Sequence, residues 1–210
     1  VGVLLSAGLY WSKEKWLPNG LREGEIIKTV QAEGKENPLG PEWITDVKFR
    51  NDEASRSWQI PAYNRATGEM RGTGNNFIII SWKWDDEQPE RVIMAERGTW
   101  ENGDWTFQQV RDYKPTEGFP EAHPITFHQT LQFEEFNETP RQIEGELKIA
   151  PLFDKRAHKR WSVSLAEIDS YRRTHRDIEP EKKAILNAQY QARLAEPLTC
   201  FIVVLIAIPF

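Results

Sequence analysis

The chain has 210 residues, of which 39 % are hydrophobic, 11 % aromatic and 28 % charged, enough to bury a sizeable core and unlike a disordered chain. A net charge of −5 and a pI near 5.5 argue against a nucleic-acid binder, which is usually basic. One cysteine excludes an internal disulfide framework and any cysteine-based zinc site, and four histidines leave little material for another metal centre.

The mean hydropathy of −0.63 hides an uneven distribution, because both ends are apolar and the middle is polar. Val1 to Trp11 carries no charge, and its first lysine, Lys13, follows the apolar run, whereas a signal peptide has its positive residues first. The segment therefore reads as the end of a membrane helix, with Trp11 and Trp16 suited to the interface. From Trp43 to Arg50, Trp43, Val47 and Phe49 alternate with Asp46, Lys48 and Arg50, the period of a half-buried strand. Trp58 and Ile60 alternate with Ser57 and Gln59 in the same way. Asn64 to Gly68 supplies a turn, Asn76 to Trp84 is the most apolar strand, and Val92 to Glu96 follows. Asn102-Gly103, between Trp100-Glu101 and Asp104-Trp105-Thr106-Phe107, predicts a two-residue hairpin, since both turn residues must tolerate positive φ. After a loop from Pro115 to Pro124, Ile125, Phe127, Leu131 and Phe133 occupy alternate positions, opposite Thr126, His128, Thr130 and Gln132. Many short strands separated by turns predict an antiparallel sandwich, jellyroll or open barrel.

The last quarter is helical in pattern. Ser164-Leu165-Ala166-Glu167 is a capping box, with Val163 and Ile168 as its hydrophobic staple, and predicts a helix from about Leu165 to Thr174. Pro180 suits a first helical turn. Leu186, Tyr190 and Leu194 make an i, i+4 stripe on a second helix, Ala184 to Ala195, that runs on into the uncharged Leu198 to Phe210. That tail is short of the roughly 20 apolar residues of a full span and reads as the beginning of one. Residues 155 to 194 hold ten Lys/Arg against five Asp/Glu. Such a basic stretch is either a solvated face or a contact for anionic lipid or a partner.

Catalytic patterns are weak. Asp85-Asp86 and Glu134-Glu135 are adjacent pairs, which on a strand point to opposite faces; His123 and His128, five apart, do the same. There is no nucleophile elbow, P-loop or GxGxxG. One alternative is a secreted or membrane-anchored, tryptophan-rich β-sandwich that binds or hydrolyses carbohydrate, with indoles stacking on sugar faces. Another is a membrane-anchored adaptor that transports nothing.

Several local motifs, in order, resemble the LptF/LptG (YjgP/YjgQ-type) permeases. Arg193-Leu194-Ala195-Glu196-Pro197-Leu198, running to Ala207-Ile208-Pro209, resembles the start of that family's fourth membrane helix, although an acidic residue at Glu196 departs from the pattern. Val163-Ser164-Leu165-Ala166-Glu167-Ile168 with Tyr171 is similar to the short helix after its β-domain. Ala95-Glu96-Arg97-Gly98-Thr99-Trp100 and Trp105-Thr106-Phe107 resemble its hairpin, and Asn51-Asp52 with Ser57-Trp58-Gln59-Ile60 and Tyr63 a preceding strand pair. Trp16-Leu17-Pro18-Asn19 is similar to the exit of its third membrane helix.

The resemblance implies a mainly β protein: a periplasmic antiparallel β-jellyroll, an open sandwich, flanked by the ends of two transmembrane helices. Residues 1–16 would end one helix, 17–150 form the jellyroll, 164–196 a helical connector, and 197–210 start the next helix. The implied role is that of a non-catalytic, cofactor-free permease subunit of the lipopolysaccharide export ABC transporter, in the bacterial inner membrane. Its implied partners are a paralogous permease subunit, a cytoplasmic ATPase dimer, periplasmic β-jellyroll bridge proteins and lipopolysaccharide. Exposing an acyl chain of about a dozen carbons to water costs on the order of 10 kcal/mol, at roughly 0.8 kcal/mol per CH₂, so a conduit needs a continuous apolar surface. The candidate lining is Val47, Phe49, Trp58, Ile60, Ile78, Ile80, Val92, Met94, Phe107, Ile125, Phe127, Leu131 and Phe133.

Overall fold

The computed structural model describes residues 39–40, 42–82, 91–114, 125–154 and 163–207. The apolar segment 1–16 and the loop 115–124 lie outside the described residues, as do 83–84 of the predicted strand Asn76–Trp84.

The described residues form eight strands, in order β1 (Trp43–Asn51), β2 (Arg56–Asn64), β3 (Met70–Arg71), β4 (Ile78–Trp82), β5 (Arg91–Ala95), β6 (Arg97–Glu101), β7 (Asp104–Tyr113) and β8 (Ile125–Phe133). All pairings are antiparallel, and they run in a closed circuit, β2–β4–β5–β7–β6–β3 and back to β2. Strands β1 and β8 add to the outer edges of β2 and β7. The β6–β7 hairpin has the predicted two-residue turn, with Asn102 at φ 55° and Gly103 at φ 96°. A Cβ added to Gly103 would meet nothing within 4 Å, so Gly103→Val should lose about 1–2 kcal/mol through backbone strain alone. A lower melting temperature for the valine variant, with Gly103→Asn close to wild type, is the expected result.

A line of irregular positions crosses the sheet. Asp46 opposite Pro61 and Gln109 opposite Gln129 are gaps in otherwise regular registers, and continuing the neighbouring registers one or two residues past their last pairs brings Gly72 and Glu96 onto the same line between them. Asp46 and Gln109 have positive φ, 55° and 53°, and Pro61, which has no N–H to give a ladder, sits where the ladder is broken. At this seam the inward position shifts by one residue, as a bulge re-aims side chains. On β7 the buried residues are Trp105 and Phe107 before it, then Val110 and Asp112 after it.

The inward faces of the two halves pack on each other. Trp58 of β2 lies 5.8 Å from Trp105 and 6.0 Å from Phe107, both of β7, between ring centroids. Phe136, just after β8, stacks on Phe133 (4.6 Å) and meets Trp58 edge-on (5.2 Å). Gly98 is required here, because a Cβ would come within 2.9 Å of the Phe107 ring. Instead of the expected open sandwich, the sheet is a barrel-like body with a filled interior.

Among the described residues three helices come after the sheet, α1 (Pro140–Phe153), α2 (Leu165–Thr174) and α3 (Pro180–Ala207). Helix α2 has the predicted capping box, Ser164 with Glu167. Helix α3 is longer at its start than the pattern Ala184–Ala195 and, as predicted, continues into the apolar tail. Helix α1 falls within residues 17–150, where the sequence pattern predicts strands and no helix. It begins with a second capping box, Thr139 with Gln142, and has proline in its first turn. Its Ile143 belongs to the sheet's core, and its Ile149 packs with Val163, Ile168 and Leu186 in a second, helical core. A buried ion pair, Lys148 Nζ to Glu167 Oε1 at 2.5 Å, joins α1 to α2.

Candidate functional site

The thirteen candidate lining residues do not share one face. Val47, Phe49, Trp58, Ile60, Ile78, Ile80, Phe107 and Phe133 are buried in the sheet's core, and Leu131 is partly buried against it. Val92 and Met94 are on the other side. Ile93 is the residue that pairs with the buried Ile80, so Val92 and Met94 align with Ser81 and Ile79 on the outer face. Ile125 and Phe127 are also outward, 50 % and 70 % exposed. Their half of β8 lies beyond the seam, where His128 pairs with the buried Val110, while Phe127 pairs with Arg111 and Ile125 with Tyr113.

The four displaced residues are neighbours. Met94, Arg111 and Phe127 form one line across β5, β7 and β8, and Val92, Tyr113 and Ile125 form the next. Ile79 extends the first line onto β4. The Arg111 guanidinium sits 4.6 Å from the ring centroid of Phe77 and 5.9 Å from that of Phe127. Farther along the outer face, Met94, Ile79, Phe77 and Pro61 line a shallow depression of about 630 Å³. Arg111, Tyr113, Phe77 and Ile79 were not among the residues singled out by alternation.

Near one end of the sheet the residues are charged and well ordered by partners. Arg91 makes a two-pronged contact with Asp112, 2.9 and 2.7 Å, and a third with Glu135 at 3.1 Å. Its bond to Asp112 holds the guanidinium's pKa above the usual value. Burial pushes the Asp112 carboxyl up, but the Arg91 bond and charge outweigh it and hold the group below its ordinary value.

A second polar cluster joins the helices to the sheet. Asp52, in the β1–β2 turn, donates its backbone N–H to the Thr174 carbonyl (2.8 Å) and accepts the Arg176 N–H on Oδ2 (3.2 Å). Arg50 Nε approaches Asp52 Oδ1 to 2.5 Å. His175 stacks on Tyr171, with centroids 4.0 Å apart and planes at 16°. Its Nδ1 is 3.1 Å from the Tyr171 carbonyl and its Nε2 is 3.4 Å from Glu146 Oε2. A ring nitrogen facing a carbonyl oxygen carries the proton, so in the neutral ring Nδ1 is protonated and Nε2 faces the Glu146 carboxyl without a proton. The pKa directions agree. Burial, reinforced by the negative Asp52, pushes Glu146 up to about 8. Burial also lowers His175, against the opposing effects of the Tyr171 carbonyl and Asp52, and raises the Tyr171 phenol. At pH 7 all three are neutral. A cleft of about 260 Å³ beside them is lined by Phe49, Gly145, Glu146, Ser170, Tyr171 and Thr174, among others.

Other chemistries find little support in this geometry. Trp58 and Trp105 are fully buried and unavailable for stacking on a sugar. Among the described residues, no group of His, Cys, Asp and Glu is placed to hold a metal ion. No helix of the described residues is long and apolar enough to cross a membrane.

A family model described as "Lipopolysaccharide export system permease LptF/LptG" matches residues 1–210. No curated protein matches the chain.

Proposed function

Because the chain belongs to the LptF/LptG family of lipopolysaccharide export permeases, we propose that it is the permease subunit of an ABC transporter that extracts lipopolysaccharide from the inner membrane and passes it along a periplasmic β-jellyroll. Residues 1–16 and 197–210 would belong to flanking membrane helices, with the β-domain and its helical connector in the periplasm. The family match over the entire chain carries this reading. ATP hydrolysis would belong to the cytoplasmic ATPase dimer, and a paralogous permease would complete the membrane pair.

Two features support a lipid route that continues into a further protein. The outward residues Val92, Met94, Ile125 and Phe127 offer an apolar path that requires no opening of the sheet. The buried residues, Val47 to Ile80 with Phe107, Leu131 and Phe133, would join that path only if the strands part. Among the described residues β1 and β8 each pair on one side only, and these two edge strands differ. Strand β1 is guarded by Lys48, Arg50 and the left-handed Asp46, the usual protection against strand addition. Strand β8, ITFHQTLQF, has no acidic or basic residue but His128, and no proline. An edge of this kind suits strand addition by a periplasmic bridge protein.

A photo-crosslinking residue at Phe127 in the complete transporter in cells tests the route. Lipopolysaccharide adducts are expected at Phe127, and only with an active ATPase. Adducts at Ile80 are expected only if transport opens the barrel, and weak capture at His128, which faces inward. No adduct at either Phe127 or Ile80 while ATP is being hydrolysed would overturn the assignment of these strands to the lipid path.

A further inference from the structure

Arg111 is the one charged side chain in the two outward lines of Met94–Arg111–Phe127 and Val92–Tyr113–Ile125. Within this part of the sheet other arginines are matched by carboxylates: Arg91 by Asp112 and Glu135, and Arg56 by Glu138. Arg111 has aromatic neighbours in their place, Phe77 at 4.6 Å and Phe127 at 5.9 Å, and among the described residues it forms no ion pair. It is exposed, so desolvation does not oppose its charge. Stacking against ring faces restricts the guanidinium plane and leaves its N–H edge for an acceptor, which lowers the ordering cost of binding. Aromatic faces do not neutralise a cation as a carboxylate does, so its full charge is available to an incoming anion.

The surface around Arg111 determines what kind of anion fits. Phe127 and Ile125 are 70 % and 50 % exposed on the same face, and Met94 and Val92 continue it across β5. A free phosphate would use the arginine and gain nothing from this apolar surface. A neutral lipid would use the apolar surface and leave the cation unmatched. A molecule with an anionic head and an alkyl chain satisfies both.

We propose that the outer face of β5, β7 and β8 is a binding site for a phosphorylated amphiphile, with Arg111 holding the phosphate in a charge-assisted contact and Phe127, Ile125 and Met94 covering the first part of the acyl chain. The inference rests on the lipid-transport reading above and adds to it a headgroup-binding residue in the β-domain, outside the barrel. Its position beside β8, which among the described residues pairs only with β7, puts the site where a strand-adding partner would take over the lipid.

The test uses the full-length permease in its purified complex, without ATP, with Phe127 kept and a photoactivatable tetradecyl phosphate as probe, labelling at Phe127 and its neighbours being read by peptide mass spectrometry. Unlabelled tetradecyl phosphate should compete at least about tenfold better than tetradecyl alcohol in matched micelles, the effect of one charge-assisted contact. Arg111→Gln should remove that preference while leaving competition by the alcohol unchanged, and Arg111→Lys should restore part of it. Met94→Asp should weaken competition by both. Inorganic phosphate should compete poorly, which separates a lipid head from a free anion. Equal competition by phosphate and alcohol in the unaltered protein, or a preference that survives Arg111→Gln, would overturn the assignment. Protection of Phe127 by an added strand-forming partner but by neither amphiphile would instead make the face a protein contact. Because no ATP is involved, failure of transport-dependent capture would leave this result intact, and the two readings fail separately.

Discussion

Glu138→Gln is expected to destabilise the β-domain by about 3–5 kcal/mol, the typical cost of leaving one partner of a buried ion pair alone. Glu138 is fully buried, and its Oε1 accepts from Arg56 Nε at 2.7 Å and from Asn51 Nδ2 at 2.9 Å. Arg56 is nearly as buried and also donates to Asn137 Oδ1 at 2.8 Å. Its guanidinium lies 5.1 Å from the Phe136 ring centroid and 6.0 Å from that of Trp82, so losing the carboxylate leaves a cation held among rings. The Glu138 carbonyl also accepts the Trp105 indole N–H at 2.6 Å, a backbone contact that the glutamine keeps. Arg56→Met with Glu138→Leu removes both charges and should recover much of the loss, since an apolar replacement of a buried pair is often neutral. Chemical unfolding of Arg56→Met, Glu138→Leu and their double variant gives the coupling directly. Additive effects in that cycle would show that the pair contributes nothing beyond its separate contacts.

The ion pair also shows what the sequence could and could not disclose. Arg56 and Glu138 are 82 residues apart, and nothing local marks either as buried. The strands themselves were legible wherever one face is polar, as in β1 and the β6–β7 hairpin. Residues Val92 to Ala95 are all apolar, so alternation gives no phase; only the pairing of Ile93 with Ile80 decides which side faces inward. On β8 the count fails for a different reason. The seam through Gln109 re-aims half the strand, and a glutamine at positive φ gives no warning because it is rarely found there. A single-phase reading therefore joins Phe127 to Phe133 when they lie on opposite sides. Helix α1, by contrast, was signalled: Thr139-Pro140-Arg141-Gln142 is a capping box with proline in the first turn, the same kind of signal that located α2.

Between pH 6.5 and 8 the attachment of the helices to the sheet should weaken by about 2 kcal/mol, one proton's linkage over that interval. Glu146 is the source. Its carboxyl is raised from an ordinary 4.5 to about 8, first by burial and then by Asp52. A group raised in the folded state gives its full stability below the unfolded pKa and loses it as pH rises through the folded one. The window for Glu146 is therefore about 4.5 to 8. His175 is lowered, chiefly by burial, so its effect has the opposite sign: it is complete above about 6.5 and lost as pH falls. The two oppose each other below 6.5, and only Glu146 acts above it. The charged groups around the pair are Asp52 and Arg50 at the β1–β2 turn and Glu179 and Lys182 at the start of α3. Glu146→Gln keeps the shape of the side chain and cannot ionise. It should abolish the pH dependence above 6.5 and, at pH 7, stabilise by about 3 kcal/mol at 1.36 kcal/mol per pKa unit. Amide exchange of the peptides containing Asp52 and Arg176, corrected for intrinsic rates, reports this joint because both backbone N–H groups are hydrogen-bonded within it. Protection that falls from pH 6.5 to 8 in the wild type and stays level in Glu146→Gln is expected. If the glutamine variant loses protection as steeply as the wild type, the proton on Glu146 is not what holds α2 and α3 against the β1–β2 turn.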